Sequence, residues 1–317
     1  MELFFSVIIP LYNKEKDIAK TLESLLNQDH MNFEAIVIDD GSTDSSASIV
    51  KEFSDKRIQL YHIKNRGLPA ARNLGVKYAK SEYVAFLDAD DLWCNNHLST
   101  LNELIQLYPN ENWFGSSYKV LSKLGREFNS ILYEKWEPNW HGLINNFFCI
   151  NRTQWLVHIC SICVTKTIFN QIGCFDEKLD YEEDIDFYVR LALKVPLVYA
   201  NKVTLRYNAA GSNRISDSSF KGKSTFNWDK YSEYEAKNID LKKFLDFFRY
   251  TCFSKYVLSF DTIKADLALS GINRNNLTYK QRVVIMMPRW LMVIGFKFKS
   301  ALMRLGIDFH LTNKEGK

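Results

Sequence analysis

Three carboxylates follow a short apolar run in the first third of the chain. Asp88, Asp90 and Asp91 come directly after residues 83–87, which are typical of a buried strand. Carboxylates two residues apart at a strand end can converge on one divalent cation, with phosphate oxygens completing its coordination. A lone Asp-x-Asp pattern is weak evidence, because acidic turns are common. Its place after a strand, with a second acidic strand end upstream, predicts a site for Mg²⁺ or Mn²⁺.

The upstream strand end carries two adjacent carboxylates. Asp39 and Asp40 follow the apolar run 33–38. They cannot both enter the core, because burial of an unpaired charge is costly. A free carboxylate accepts hydrogen bonds from a nucleobase N–H or a ribose hydroxyl. The alternative is a helix N-cap at Ser42 or Asp44, which would explain Asp44 but leaves Asp39 and Asp40 without a role.

Two helix starts also carry charge. Arg72 lies near the beginning of a predicted helix over 68–79, where an arginine can serve a diphosphate. Glu183 and Asp184 begin a later predicted helix, to about residue 194. The helix macrodipole alone favours acids in a first turn. As chemistry, one of these two carboxylates could take the proton of a bound hydroxyl.

These residues need a scaffold that brings the strand ends together. Apolar runs at 5–10, 33–38, 58–63 and 83–87 lack polar alternation, and helical patterns of about ten residues separate them. This order predicts an α/β fold with a mostly parallel sheet covered by helices on both faces. Because ligands bind at the carboxyl ends of such strands, residues 10–13 and the two acidic strand ends are expected to form one site.

In this order the blocks resemble the family 2 glycosyltransferases, which have the GT-A nucleotide-diphospho-sugar transferase fold. The match covers about two-thirds of the chain, in segments 7–14, 37–44, 67–75, 86–91 and 173–190. The patterns in the first half are highly specific to the family. The last ninety residues or so lie outside this resemblance.

The resemblance implies a nucleotide-sugar site at the strand ends. The residues expected to line it are Pro10, Tyr12, Asn13, Asp39, Asp40, Arg72, Asp88 and Ala89. Pro10 and Tyr12 would contact the base, and Asp40, supported by Asp39, would hydrogen-bond it. Asp88 would hold the ribose or a water bound to the diphosphate. A UDP-sugar is favoured as the donor, and Asp90 would ligate the Mg²⁺ or Mn²⁺.

The resemblance also implies an inverting hexosyltransferase that works by a single displacement. The acceptor oxygen would attack the anomeric carbon as the nucleoside diphosphate leaves. Asp184, of the Glu183–Asp184 pair, would be the general base, while the metal and Arg72 would neutralise the leaving group. The expected acceptor is a glycan or glycolipid hydroxyl, such as that of a lipid-linked polysaccharide precursor in cell-envelope synthesis.

The chain departs from the family in two respects. Some relatives supply a metal-ligating His after the base helix, but no His occurs here between His158 and His310, so Asp90, phosphate and water are the expected metal shell. The Gln-x-x-Arg-Trp motif of processive relatives is absent, which favours one sugar per encounter. The alternatives are a sugar nucleotidyltransferase, whose Gly-rich signature is missing after the first strand, and a non-catalytic scaffold, which would lose Asp90 or Asp184.

Three regions are expected along the chain. Residues 1–110 would be the nucleotide-sugar-binding half of the GT-A domain, 111–220 the acceptor-binding half, and 221–317 a helical C-terminal region. The last boundary is placed near 218–223, where polar residues break the periodicity. Six cysteines show no disulfide spacing, and Cys160 and Cys163 are expected to be structural residues on opposite faces of a buried strand over 155–164.

The positive charge is concentrated near the C-terminus. No acid occurs between Asp266 and Asp308, whereas the same stretch holds seven Lys and Arg residues, and the rest of the chain is net negative. This predicts a local anionic partner and argues against nucleic-acid binding. The segment 280–305 includes a predicted helix at 289–305, which would either lie on an anionic membrane or pack on the catalytic domain. With no signal peptide or spanning segment expected, the predicted location is the cytoplasm, peripheral on the inner membrane face.

Overall fold

The structure is a computed structural model that describes residues 3–130, 136–151, 155–215, 220–225 and 227–304, with backbone alone for 299–304. The chain separates into two compact units. The first comprises residues 1–218 and 223–227, and the second comprises residues 219–222 and 228–317. Of the helices in these described ranges, none is both long enough and apolar enough to span a bilayer.

The first unit is built around a ten-stranded sheet. Its strands are β1 (Phe5–Leu11), β2 (Phe33–Asp39), β3 (Ile58–His62), β4 (Tyr83–Phe86), β5 (Leu92–Trp93), β6 (Trp113–Leu121), β7 (Glu127–Asn129), β8 (His141–Ile144), β9 (Ile162–Thr165) and β10 (Leu197–Asn208). The order is β3-β2-β1-β4-β9-β6-β10-β5, with β7 beside β6 and β8 beside β10. The first four strands pair in parallel, whereas β9 runs antiparallel to β4 and β6.

In the described part of the first unit, seven α-helices connect and cover these strands. They are α1 (Ile18–Leu26), α2 (Ser46–Glu52), α3 (Leu68–Tyr78), α4 (His97–Leu107), α5 (Phe147–Ile150), α6 (Lys166–Ile172) and α7 (Glu183–Ala192). Helix α3 packs on β1 and β2, and α4 packs on β6 and β10. The predicted α/β sheet flanked by helices is therefore confirmed.

The buried strands follow directly from the apolar runs. Every residue of β1 and of β2 is buried, as expected for strands covered on both faces. Helix α3 approaches β1 closely at Gly75, where a Cβ would collide with the side chain of Ile8. Register places Leu11 beside Asp39, so β1 and β2 end at the same edge of the sheet.

The strand predicted over 155–164 is wrong. Only Ile162–Thr165 form β9, and Ile159–Ser161 form a short 3₁₀ turn whose N-cap is His158. The side chain of His158 accepts from the N–H of Cys160, and this local bond competes with an extended conformation. Cys160 and Cys163 therefore do not lie on opposite faces of one strand.

The second unit is helical. Its helices are α8 (Ser232–Lys237), α9 (Ile239–Leu258), α10 (Thr262–Ser270), α11 (Tyr279–Met286) and α12 (Arg289–Arg304). Its core is a cluster on the C-terminal half of α9, including Phe253 and Tyr256, that packs against Ala265 of α10 and Met292 of α12. Asn238, Asp261 and Thr278 accept from backbone N–H groups at the starts of α9, α10 and α11.

Candidate active site

The site is assembled from polar residues that follow β1, β2 and β4, together with the first turn of α7. Because β1 is parallel to β2 and to β4, the carboxyl ends of all three strands lie at one edge. Through Arg72, the acidic strand end after β4 is joined to Glu183 at the start of α7, which lies about a hundred residues further along the chain.

Arg72 connects the two acidic regions. Its guanidinium is buried in α3, where Nη1 donates to Oε1 of Glu183 at 2.8 Å and Nη2 donates to both oxygens of Asp88 at 2.9 and 3.1 Å. Burial opposes the charge, but the two carboxylates outweigh it and raise the pKa of Arg72. In this structure Arg72 positions Asp88 and Glu183, and its expected contact with a diphosphate remains a prediction.

Asp88 is held ionised by this arrangement. Burial favours the neutral acid, yet the adjacent Arg72 guanidinium holds the pKa of Asp88 below its ordinary value. The backbone N–H of Asp88 donates to Sγ of Cys160 at 3.1 Å. The next residue, Ala89, is buried. The strand end after β4 is therefore fixed from two sides.

Asp184 differs from its neighbour Glu183 in having no ion pair within the described part of the chain. Its Oδ1 accepts from the backbone N–H of Ile185 at 2.9 Å. Burial and the charge of Glu183 raise the pKa of Asp184 to about 7, although Arg72 lowers it in part. A carboxylate with such a pKa is suited to accept and release a proton near neutral pH.

Asp90 forms an ion pair with Lys14. Nζ of Lys14 lies 2.6 Å from Oδ2 of Asp90 and also donates to the carbonyl oxygen of Ser212. Burial raises the pKa of Asp90, and Lys14 offsets this only in part. Gly211 lies against the carboxylate, since a Cβ there would come within 2.6 Å of Oδ2. Sequence reasoning missed Lys14 as a site residue, although Lys14 directly follows the predicted site residues 10–13 at the end of β1.

The buried carboxylates after β2 organise the neighbouring loops. Asp39 accepts from the N–H of Ser42 at 3.0 Å and lies 2.8 Å from Nδ1 of His62. Asp40 accepts from the N–H groups of residues 66 and 67 at 2.7 and 2.8 Å. Burial raises the pKa of Asp40 despite these donors. Both side chains thus have structural partners, and their contact with a nucleotide remains a prediction.

The residues at the end of β1 differ in how far they are exposed to solvent. Pro10 is buried within β1, whereas Tyr12 is 41% exposed. Asn13 has a left-handed backbone with φ of 50°, and its Oδ1 accepts from the N–H of Thr43 at 2.8 Å. This bond joins the ends of β1 and β2. Of the two residues expected at a base, Tyr12 is the exposed one.

Asp91, His158 and Cys160 form a second cluster with metal-ligand chemistry. Their ligand atoms lie within 4.8 Å of one another, and Nδ1 of His158 is 3.7 Å from Oδ2 of Asp91. Burial raises the pKa of Asp91 and lowers that of His158 to about 4. A thiol and an imidazole suit Zn²⁺ better than Mg²⁺ or Mn²⁺. Sequence reasoning missed this cluster because Asp91 lies 67 residues before His158 and because Cys160 was predicted to lie in a strand.

Comparison with known sequences identifies relatives of this chain. The family model described as Glycosyl transferase family 2 matches residues 6–166. An uncharacterized glycosyltransferase of Rickettsia bellii (strain RML369-C) is 34% identical over 259 residues, which are 76% of this chain and 34% of that protein. The Escherichia coli UDP-Glc:alpha-D-GlcNAc-diphosphoundecaprenol beta-1,3-glucosyltransferase WfgD is 37% identical over 118 residues, which are 37% of this chain and 46% of WfgD. The chain thus spans about a third of the Rickettsia relative.

A solved structure shares the fold. Residues 1–349 of Staphylococcus aureus TarS, in a crystal structure with UDP-GlcNAc, superpose with a TM-score of 0.67 at 20% sequence identity. The superposition covers 97% of this chain and 93% of the TarS chain. At this identity the likeness concerns the fold alone.

Proposed function

The chain belongs to glycosyl transferase family 2 and has the GT-A fold, and on this basis we propose that it transfers a single sugar from a nucleotide-diphospho-sugar to a hydroxyl acceptor with inversion. The observation that carries the proposal is the pair of adjacent acids at the start of α7. Glu183 forms an ion pair with Arg72. Burial and the charge of Glu183 raise the pKa of the neighbouring Asp184 to about 7.

In the proposed step, Asp184 takes the proton of the acceptor hydroxyl as its oxygen bonds to the anomeric carbon. The bond from that carbon to the donor phosphate oxygen breaks, and its electron pair leaves with the nucleoside diphosphate. A single displacement from the opposite face inverts the configuration. Glu183 does not share the role of base, because its carboxylate is paired with Arg72 at 2.8 Å. It instead positions the first turn of α7.

The proposed donor site is the polar edge formed by the ends of β1, β2 and β4. The exposed ring of Tyr12 stacks on the base, and Asn13, Asp39 and Asp40 shape the loops around it. Pro10 is buried near the end of β1, just before Tyr12, and Ala89 and Asp88 are proposed to lie beside the diphosphate. The TarS structure that shares the fold was solved with UDP-GlcNAc, which supports a UDP-sugar as the donor.

The proposed metal is Mg²⁺ or Mn²⁺ at Asp90. The ligand chemistry fits, since Asp90 supplies a hard carboxylate oxygen that already holds a cation, the Lys14 ammonium, at 2.6 Å. Lys14 would have to release Oδ2 or share Asp90 with the metal. When bound, the metal would neutralise charge on the leaving diphosphate.

The proposed acceptor is a hydroxyl on a lipid-linked precursor of a cell-envelope polysaccharide. The name of the relative WfgD states a diphosphoundecaprenol-linked acceptor, which supports this class. Such an acceptor lies at a bilayer, and we therefore place the enzyme in the cytoplasm, on the inner membrane face. The basic segment 280–305 is the proposed contact with the membrane surface.

A panel of nucleotide-sugars tests the proposal at the level of donor binding. We expect at least one UDP-sugar to raise the melting temperature in the presence of Mn²⁺, because a ligand that binds only the folded state stabilises it. Free UDP should compete with it. No shift with any UDP-, GDP- or dTDP-sugar at millimolar concentration would contradict the proposal.

A further inference from the structure

The second unit exposes more large apolar side chains than the first. Twenty such side chains are exposed among the described residues; thirteen of them lie in the second unit and seven in the first, although the second unit is less than half as long. Single exposed apolar side chains are ordinary on a protein surface, but a concentration of them marks an interaction site. The second unit is therefore where a partner should be sought.

Helix α12 has two apolar sides. Met292 and Phe296 face the core of the second unit, where Met292 is only 2% exposed. Trp290, Ile294 and Phe298 lie on another side and are 66%, 55% and 64% exposed. Packing within the unit requires one apolar side and explains the first set. It does not explain why the second set is apolar as well.

An apolar groove opens beside this outer side of α12. A cavity of about 380 Å³ lies among the end of α9, the start of α10 and the first turns of α12. Its walls include Val257, Phe260, Ala265, Trp290 and Ile294. Arg289 also lines the groove, where it forms an ion pair with Asp266. A concave apolar space of this size suits an extended apolar group.

Basic residues dominate the segment that carries α11 and α12, although Asp266 of α10 pairs with Arg289 at the groove. Residues 267–307 contain no acid, and Arg274, Lys280, Arg282 and Lys297 are exposed. Exposed aromatic and aliphatic side chains among basic residues are typical of helices that lie in an anionic membrane surface. A second copy of the chain would present the same positive charges, and the two surfaces would repel each other.

We propose that the second unit docks on an anionic bilayer through this surface, with Trp290, Ile294 and Phe298 among the acyl chains and one lipid acyl chain in the groove beside Phe260. The exposed Lys and Arg residues contact the lipid phosphates. This inference rests on the membrane association in the proposed function, and it assigns that association to particular residues. It does not depend on the identity of the donor or on the chemistry at Asp184.

Vesicle flotation of the full chain tests the docking surface. Wild type should float with phosphatidylglycerol vesicles at low salt, less at high salt, and little with phosphatidylcholine alone. Ile294→Glu should lower the bound fraction by at least ~10-fold, because it places a charge among the acyl chains. Leu107→Glu makes the same change at a side chain that is 52% exposed in the first unit, and it should leave flotation unchanged.

Fluorescence then locates the contact. Lipids with a quencher on the acyl chain should quench wild-type tryptophan emission, and Trp290→Phe should lose most of this quenching while it still floats. Ile294→Glu should retain the melting shift produced by a UDP-sugar, so loss of docking is distinguishable from failure of the proposed transfer. The proposal is overturned by absent flotation at low salt or by quenching that does not depend on Trp290. It is also overturned if Ile294→Glu converts a dimer into a monomer without changing flotation, since the surface would then join two copies of the chain.

Discussion

Glu183 and Asp184 are adjacent carboxylates whose surroundings make them chemically different. Arg72 binds both Glu183 and Asp88, and against the effect of burial it holds the pKa of Asp88 below its ordinary value. Asp184 has no such partner among the described residues, and its pKa is raised to about 7. The sequence predicted acids at this helix start and, by resemblance, a base at Asp184. It could not predict the ion pair, because Arg72 and Glu183 are separated by 111 positions and meet only in the folded chain.

The raised pKa of Asp184 predicts how stability depends on pH. An unfolded Asp has a pKa of about 3.9, so between about pH 4 and 7 the folded state binds more protons than the unfolded state. Wild type therefore loses stability across this window as the pH rises. Asn at this position keeps the acceptor for the Ile185 N–H but carries no charge. In thermal unfolding, the stability of Asp184→Asn relative to wild type should therefore increase from pH 4 to pH 8. An equal difference in stability at the two pH values would contradict the raised pKa of Asp184.

The proposed metal ligand Asp90 can be tested by mutation. Asp90→Ala should abolish stimulation of transfer by Mn²⁺ and leave the circular dichroism spectrum unchanged, because Asp90 lies in a turn outside the helices and strands. Cys160→Ser alters the other cluster with metal-ligand chemistry and should retain the stimulation. Transfer rates with added Mn²⁺ and with excess chelator distinguish the two clusters. The assignment of Asp90 as the metal ligand would be contradicted if Asp90→Ala kept full activity. It would also be contradicted if only Cys160→Ser lost the stimulation by Mn²⁺.

At the scale of elements, the apolar patterns at 33–38 and 68–79 predicted the correct elements and the pattern at 155–164 did not. The predicted strand 33–38 and helix 68–79 differ from Phe33–Asp39 and Leu68–Tyr78 by one residue at one end. Their apolar spacing reports burial on a sheet or helix, which the fold then supplies. The run 155–164 is equally apolar, but the His158–Cys160 bond closes a 3₁₀ turn there. A local side-chain bond of this kind has no periodicity to detect.

Two helical glycines, Gly75 and Gly295, have different surroundings, so replacing each by alanine should change stability in opposite directions. Gly75 brings α3 against the buried Ile8, so Gly75→Ala should destabilise the first unit by about 1–3 kcal/mol through overpacking. Gly295 lies in α12, and a Cβ there would meet nothing within 4 Å. Gly295→Ala should stabilise the second unit by about 0.5–1 kcal/mol through helix propensity. Urea unfolding measures both changes, and a stabilising Gly75→Ala would contradict the packing of α3 on β1.

At the scale of the whole molecule, each unit carries one part of the proposed function. The strand-end site lies in the first unit, within which the family match also falls. The second unit carries the exposed apolar surface and the acid-free basic segment. The sequence indicated the change to helical structure after 221 and the local charge. It could not indicate which sides of α12 are exposed, because that depends on how α9, α10 and α12 pack together.

The central claim is that Asp184 is the general base of a glycosyl transfer. The most direct test is kcat/KM as a function of pH for wild type and Asp184→Asn, with the UDP-sugar that binds and a lipid-linked acceptor. Wild-type activity should fall below about pH 7 as Asp184 is protonated. Asp184→Asn should be slower by at least ~10²-fold, with donor affinity little changed. Near-normal turnover of this variant, or an equal loss of donor affinity, would contradict the account.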